Sequence, residues 1–139
     1  MKKLRLFPII LLVMVLLCSC SEGKTENAKI DCEKSQLYSQ SDMDLAIGKI
    51  FSEFKEEFED CTMDLITYAG DELARDELDY CNSLADEKIY DECIVSYSDF
   101  HTSYFSENPV LAAGQNYTDY KWYLARTKGG KWDLLTWGY

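Results

Sequence analysis

The chain's single histidine, His101, lies two residues from Asp99 in the segment Ser98-Asp99-Phe100-His101. In a strand, positions i and i+2 share a face. A carboxylate there could orient an imidazole, as general acid–base catalysis requires, and the protein would then be a small enzyme using an Asp99/His101 acid–base pair. The two residues would stand about 7 Å apart along the strand, and His101 falls near the expected strand end, where exposed histidines are ordinary. No residue is therefore assigned a catalytic role. Asp71, Glu72, Asp76, Glu77 and Asp79 crowd one segment. Calcium needs about six to eight oxygens converging from a loop, whereas helical spacing spreads these carboxylates over a solvated face, so no metal site is assigned. Tyr120, Trp122, Trp137 and Tyr139 are the remaining candidates, because Tyr and Trp combine apolar area with a polar handle suited to a ligand face. The chain has no Gly-rich phosphate loop, G-x-S-x-G or H-E-x-x-H motif, and no cofactor is expected.

The amino terminus carries a different chemistry. Met1-Lys2-Lys3-Leu4-Arg5 is positive, and Leu6 to Leu17 is a run of twelve uncharged residues. A bilayer span needs about 20 apolar residues, so this run has the length of a signal-peptide core instead. Leu17-Cys18-Ser19-Cys20 follows. It resembles the lipobox of bacterial lipoproteins, with an aliphatic residue at −3, small Ser19 at −1, and Cys20 as the cysteine to be lipidated. Cys18 fits less well, since it would put Leu17 at −1. The expectation is a signal peptide over 1–19 and a protein on the cell membrane, lipid-anchored and facing outside the cytoplasm. Each buried methylene contributes about 0.8 kcal/mol, so two acyl chains hold stably where one holds marginally.

Loss of Lys2, Lys3 and Arg5 would leave 11 basic against 25 acidic side chains, a net charge of −14 in place of −11. Such a surface is repelled by nucleic acid, so the partners expected are the membrane, through the N-terminal lipid, and an extracytoplasmic ligand or protein. With Cys20 lipidated, Cys32, Cys61, Cys81 and Cys93 remain, an even number in an oxidising setting, which allows two disulfides in any of three pairings. No C-x-x-C is present, and His101 lacks zinc-ligand spacing.

The elements that must position these residues follow from periodicity. Residues 20–40 comprise the lipidated cysteine and a polar segment that reads as a flexible tether reaching on the order of 25 Å, which leaves 41–139 as one domain. Ser41 with Asp44 is the expected cap of a helix over 42–59, where Met43, Ile47, Ile50, Phe51, Phe54 and Phe58 recur at helical spacing. Cys61, Met63 and Leu65 alternate as one face of a strand. A second helix is expected from Asp71 to about Glu87, with Leu73, Tyr80, Cys81 and Leu84 inward. Asp91–Thr102 alternates again, broken by Ile94 in a way that two-sided burial explains. Gly129-Gly130 suits a two-residue hairpin turn. With Lys128 opposite Lys131, the register aligns Arg126 with Asp133, Leu124 with Leu135, Trp122 with Trp137 and Tyr120 with Tyr139.

The order helix, strand, helix and three strands, with the segments FEDCTMDLITYAGDE and WYLARTKGGKWDLLTWGY, resembles a family of small bacterial lipoproteins described only as a domain of unknown function. The resemblance implies an α+β domain similar to cystatin-like or nuclear-transport-factor-2-like folds, with two helices packed on a curved, mostly antiparallel four-stranded sheet in the order α-β-α-β-β-β. It brings no activity and no catalytic residues. Cys81 and Cys93 are additional to that family's pattern. The reading is a non-catalytic ligand- or protein-binding module.

Overall fold

The computed structural model describes residues 21–139, and the expected signal peptide and Cys20 lie outside them. The fold is α+β, built on a five-stranded sheet whose spatial order is the chain order: β1 (Lys29–Ile30), β2 (Cys61–Tyr68), β3 (Glu92–Thr102), β4 (Asn116–Arg126) and β5 (Asp133–Gly138). Helix α1 (Gln40–Glu57) joins β1 to β2, while α2 (Asp71–Asp76) and α3 (Leu78–Ser83) join β2 to β3. The fifth strand comes from the segment expected as tether. β1 pairs in parallel with β2, which requires a long crossover connection, and α1 supplies it. The same segment donates from the Lys24 amide to the Cys61 carbonyl (2.9 Å), and its Lys24 carbonyl accepts from the Met63 amide (2.8 Å).

Ser39, not Ser41, caps α1. Its hydroxyl accepts from the Asp42 amide at 3.1 Å, and the Asp42 carboxylate accepts from the Ser39 amide at 3.1 Å. This reciprocal box satisfies two donors that a helix start otherwise leaves unpaired. Met43, Ala46, Ile47, Ile50 and Phe54 are buried against the sheet, with Phe51 only partly covered.

Bulges in three ladders change which residues reach that core. At Asp64 the β2–β3 register slips by one, so the buried set runs Cys61, Met63, Ile66 and Tyr68, and Leu65 turns away from the face it was expected to share. In β4 the slip falls around Asp119, whose positive φ of 55° is the bulge conformation. In β5 it falls at Leu135, which corrects the expected hairpin register. Trp122 does pair with Trp137, but Leu124 pairs with Leu134, and Ala125 rather than Arg126 lies opposite Asp133. The cause is Trp132. Its ring is buried within the loop, stacked 4.2 Å under the Arg126 guanidinium, with its N–H donating to the Asp42 carbonyl at 3.1 Å. Seating that indole takes a six-residue loop, 127–132, in place of a two-residue turn. Only Gly129 has positive φ (71°), and the Gly130 amide donates to the Thr127 carbonyl at 2.8 Å.

The sheet is covered on both faces near the start of β3. Ile94 faces α1, while Cys93 and Val95 form a second cluster with Cys81, Tyr90 and Ala125 beneath α2 and α3. This is the two-sided burial that Ile94 signalled. The second helical segment is broken at Glu77 and ends at Ser83, short of Glu87. Asn82 stops it by pairing both ways with Tyr90, accepting from the Tyr90 amide at 2.7 Å and donating to its carbonyl at 3.1 Å. Leu84 and Tyr80, expected inward, are exposed. Among the described residues no helix is long and apolar enough to cross a membrane.

Candidate functional site

The four candidate aromatics separate on folding. Trp122 is fully buried with its N–H donating to the Ser98 hydroxyl at 2.8 Å, so it is core and not ligand-facing. Phe54 and Phe58 close over it, Phe58 stacking on Phe54 with ring centroids 4.7 Å apart. The sheet face under α1 is filled, and the expected concavity is absent there.

A cleft opens instead at the C-terminal end of α1. Tyr120 and Trp137, both half-buried, form one wall with Phe58; Asn108, Pro109, Val110 and Leu111 form the facing loop; and Glu56, Glu57 and Glu59 complete the rim around about 370 Å³. Burial pushes the Tyr120 hydroxyl above its ordinary pKa, with charge repulsion from the Tyr139 phenol group contributing. Tyr139 is exposed and packs edge-on against Tyr120 at 5.3 Å, outside the cleft wall. The loop Ser103–Gln115 is tied down from within. Asn108 accepts the amides of Val110 and Leu111 at 2.9 Å and donates to the Glu59 carbonyl at 3.1 Å, and the Thr102 hydroxyl donates to the Ala112 carbonyl at 2.6 Å. Nothing in the sequence of this loop signals that it stands beside Trp137.

The acid–base candidates are not brought together. His101 Nδ1 lies 2.8 Å from Asp64 of β2, while Asp99 accepts the Asp119 amide at 3.0 Å. Phe100 packs toward α1, so alternation turns His101 to the opposite face, where its side chain is 43% exposed. Of the acidic cluster, Asp71 is committed to structure: it accepts from the Ser35 hydroxyl (2.5 Å), the Gln36 amide (2.7 Å) and the Tyr68 hydroxyl (2.8 Å). Among the described residues no three His, Cys, Asp or Glu side chains converge on a metal-sized position.

The cysteines fall into one pair and two singles. Cys81 and Cys93 Sγ are 3.0 Å apart and fully buried. Their shared S–H hydrogen bond lowers the Cys81 thiol pKa and raises that of Cys93, which burial raises further. Cys61 is buried at the start of β2, its pKa pushed up to about 12 by desolvation. Cys32 follows β1 near the other end of β2, which separates it from Cys61 by about 20 Å at 3.3 Å per residue. Disulfide geometry requires Cα atoms within about 7 Å. Of the three pairings open to the sequence, the one that joins Cys81 to Cys93 would also join Cys32 to Cys61, and that second bridge lacks the geometry, so the described residues allow the Cys81–Cys93 bridge alone of that pairing. No protein family, no curated protein and no solved structure matches this chain.

Proposed function

We propose that this protein is a lipid-anchored binding module on the outer side of a bacterial cell membrane, attached through Cys20 and taking its ligand in the cleft over Tyr120 and Trp137. The anchoring rests on the leader, the twelve-residue uncharged run and Leu17-Cys18-Ser19-Cys20. One observation carries the binding reading: Trp137 and Tyr120 keep part of each ring open beneath three carboxylates, Glu56, Glu57 and Glu59. Aromatic faces attract ammonium and guanidinium groups by roughly 0.5–2 kcal/mol, and the carboxylates reinforce the same sign of charge. The ligand class that fits is an organic cation with an apolar body. The outer compartment would also oxidise the Cys81–Cys93 pair, each thiol giving up a proton and the pair passing two electrons to the disulfide of an oxidant, which leaves as a dithiol.

Benzyltrimethylammonium serves as the probe. Trp122 and Trp132 are closed to solvent, so acrylamide should quench Trp137 emission alone. The probe should protect that emission saturably, and Trp137→Phe should remove both effects. Protection that never saturates, or that survives Trp137→Phe, overturns the cleft reading. The anchoring reading is overturned if mass spectrometry of the N-terminal peptide finds Cys20 without diacylglyceryl.

A further inference from the structure

The described chain starts, at Ser21, against the same end of the domain that carries its most exposed apolar side chains. Tyr104, Phe105 and Val110 are 85%, 91% and 86% exposed. They sit in a stretch in which Glu107 is the sole charge between His101 and Asp119. Asp60 joins this loop to the chain start. Its amide donates to the Ser21 carbonyl (2.8 Å), its carbonyl accepts from the Ser103 amide (2.9 Å), and its carboxylate accepts from the Glu107 amide (3.2 Å). Gly23 fixes the chain start further. Its amide donates to the Lys55 carbonyl at 3.1 Å, and a Cβ there would lie 2.2 Å from the Phe54 carbonyl oxygen, so only glycine fits against the last turn of α1.

These contacts remove the slack expected of a 20-residue tether. Cys20 is one Cα step, about 3.8 Å, from Ser21. Phe105 is two residues from the Ser103–Asp60 bond, at most about 7 Å of chain. The headgroup layer is on the order of 5–8 Å deep on each side of the hydrocarbon. Acyl chains leaving at Cys20 therefore hold the exposed loop within about 20 Å of the lipidated residue, within reach of the headgroup layer. Tyrosine and other amphipathic or apolar residues favour that depth, and an apolar surface buries about 5–10 Å into it.

We propose that the Ser103–Gln115 loop is a second membrane contact, with Tyr104, Phe105 and Val110 seated in the interface of the bilayer that holds the Cys20 lipid. The inference rests on the anchoring reading. It fixes the domain's orientation, with the start of β3 pointing away from the membrane and the cleft rim at Val110 opening at its surface. Glu22, Glu56 and Glu59 flank the same end, and their repulsion from anionic headgroups at short range favours zwitterionic lipid for the contact.

The test uses the full processed lipoprotein in phosphatidylethanolamine–phosphatidylcholine vesicles doped with a diazirine-bearing phospholipid, followed by residue-level mass spectrometry. Irradiation should label Tyr104–Leu111 and leave Ile89, which is 79% exposed but beyond the far end of β3, about 30 Å away, at least fivefold less labelled. Replacing zwitterionic lipid with phosphatidylglycerol at low salt should reduce the loop's labelling at least twofold, and added salt should restore it. Acylated Cys20 with no excess label on the loop over Ile89 overturns the membrane contact and leaves the anchoring reading intact. An unacylated N-terminus overturns both.

Discussion

Joining Cys81 to Cys93 closes a loop between residues 12 positions apart, stapling α3 to the first strand of the central β3–β4 pair. In the chain-entropy description a loop of that size constrains the unfolded chain by about 3 kcal/mol. The sulfurs already touch at 3.0 Å inside a packed cluster, so the folded state gives back little of this through rearrangement. The perturbation is reduction of the wild-type protein, compared with a Cys81→Ala/Cys93→Ala double variant under the same conditions. Using the variant as reference isolates the covalent link from the lost packing of two buried sulfurs. With a urea dependence of roughly 1.5–2 kcal/mol per molar for a domain of this size, reductant should lower the wild-type midpoint by about 1.5–2 M and leave the double variant unmoved. Alkylation of the denatured, unreduced protein should find two free thiols, Cys32 and Cys61. Four free thiols in protein taken from the membrane, or a wild-type midpoint indifferent to reductant, would refute the pairing. Either result would also count against the proposed outer-compartment location, where such a pair is expected to oxidise.

Two further expectations concern how the helix and the chain start are held. Arg126 is buried between Asp42 and Glu92, and its hydrogen bond to the Asp42 carboxylate at 2.8 Å, helped by the Ser39 cap, holds that carboxyl down to about 2. A depressed folded pKa gives stability that is complete above the unfolded value near 4 and lost as pH falls toward 2. Each tenfold difference in proton affinity between the folded and unfolded chain is worth about 1.4 kcal/mol, so this loss is on the order of 2 kcal/mol. Denaturant titrations between pH 5 and pH 2 should show it, Arg126→Gln should flatten it, and an unchanged acid slope in that variant would count against the pair. Gly23→Ala should cost about 1–3 kcal/mol by forcing the chain start off α1. It should also strip hydrogen-exchange protection from the Lys24 amide, which is bonded to Cys61 in the wild type, and retained protection at Lys24 would show the close approach to be unimportant.

What was legible in the sequence were features set by local rules. The α1 stripe, the β3 span and the two-sided burial at Ile94 follow from apolar spacing along one segment, whereas the Trp122–Trp137 pairing, expected from a two-residue turn, holds because the bulge at Leu135 offsets the longer loop. The expected leader and its cysteine rest on linear order alone and lie outside the described residues. Tertiary structure decided the rest, because each remaining feature depends on groups distant in the chain. The polar segment before α1 became a strand through pairing with β2, since the backbone donors and acceptors of β2's edge need partners whatever the side chains of the neighbour are. The hairpin lost its tight turn to Trp132, whose burial beneath Arg126 and bond to Asp42 span some 90 residues. His101 found Asp64 rather than Asp99, and Cys81 found Cys93, because bulges and helix breaks of a single residue set which faces meet. Composition and spacing established which side chains were present; packing alone determined that Trp122 is sealed in the core while Trp137, its cross-strand partner, opens onto a cleft.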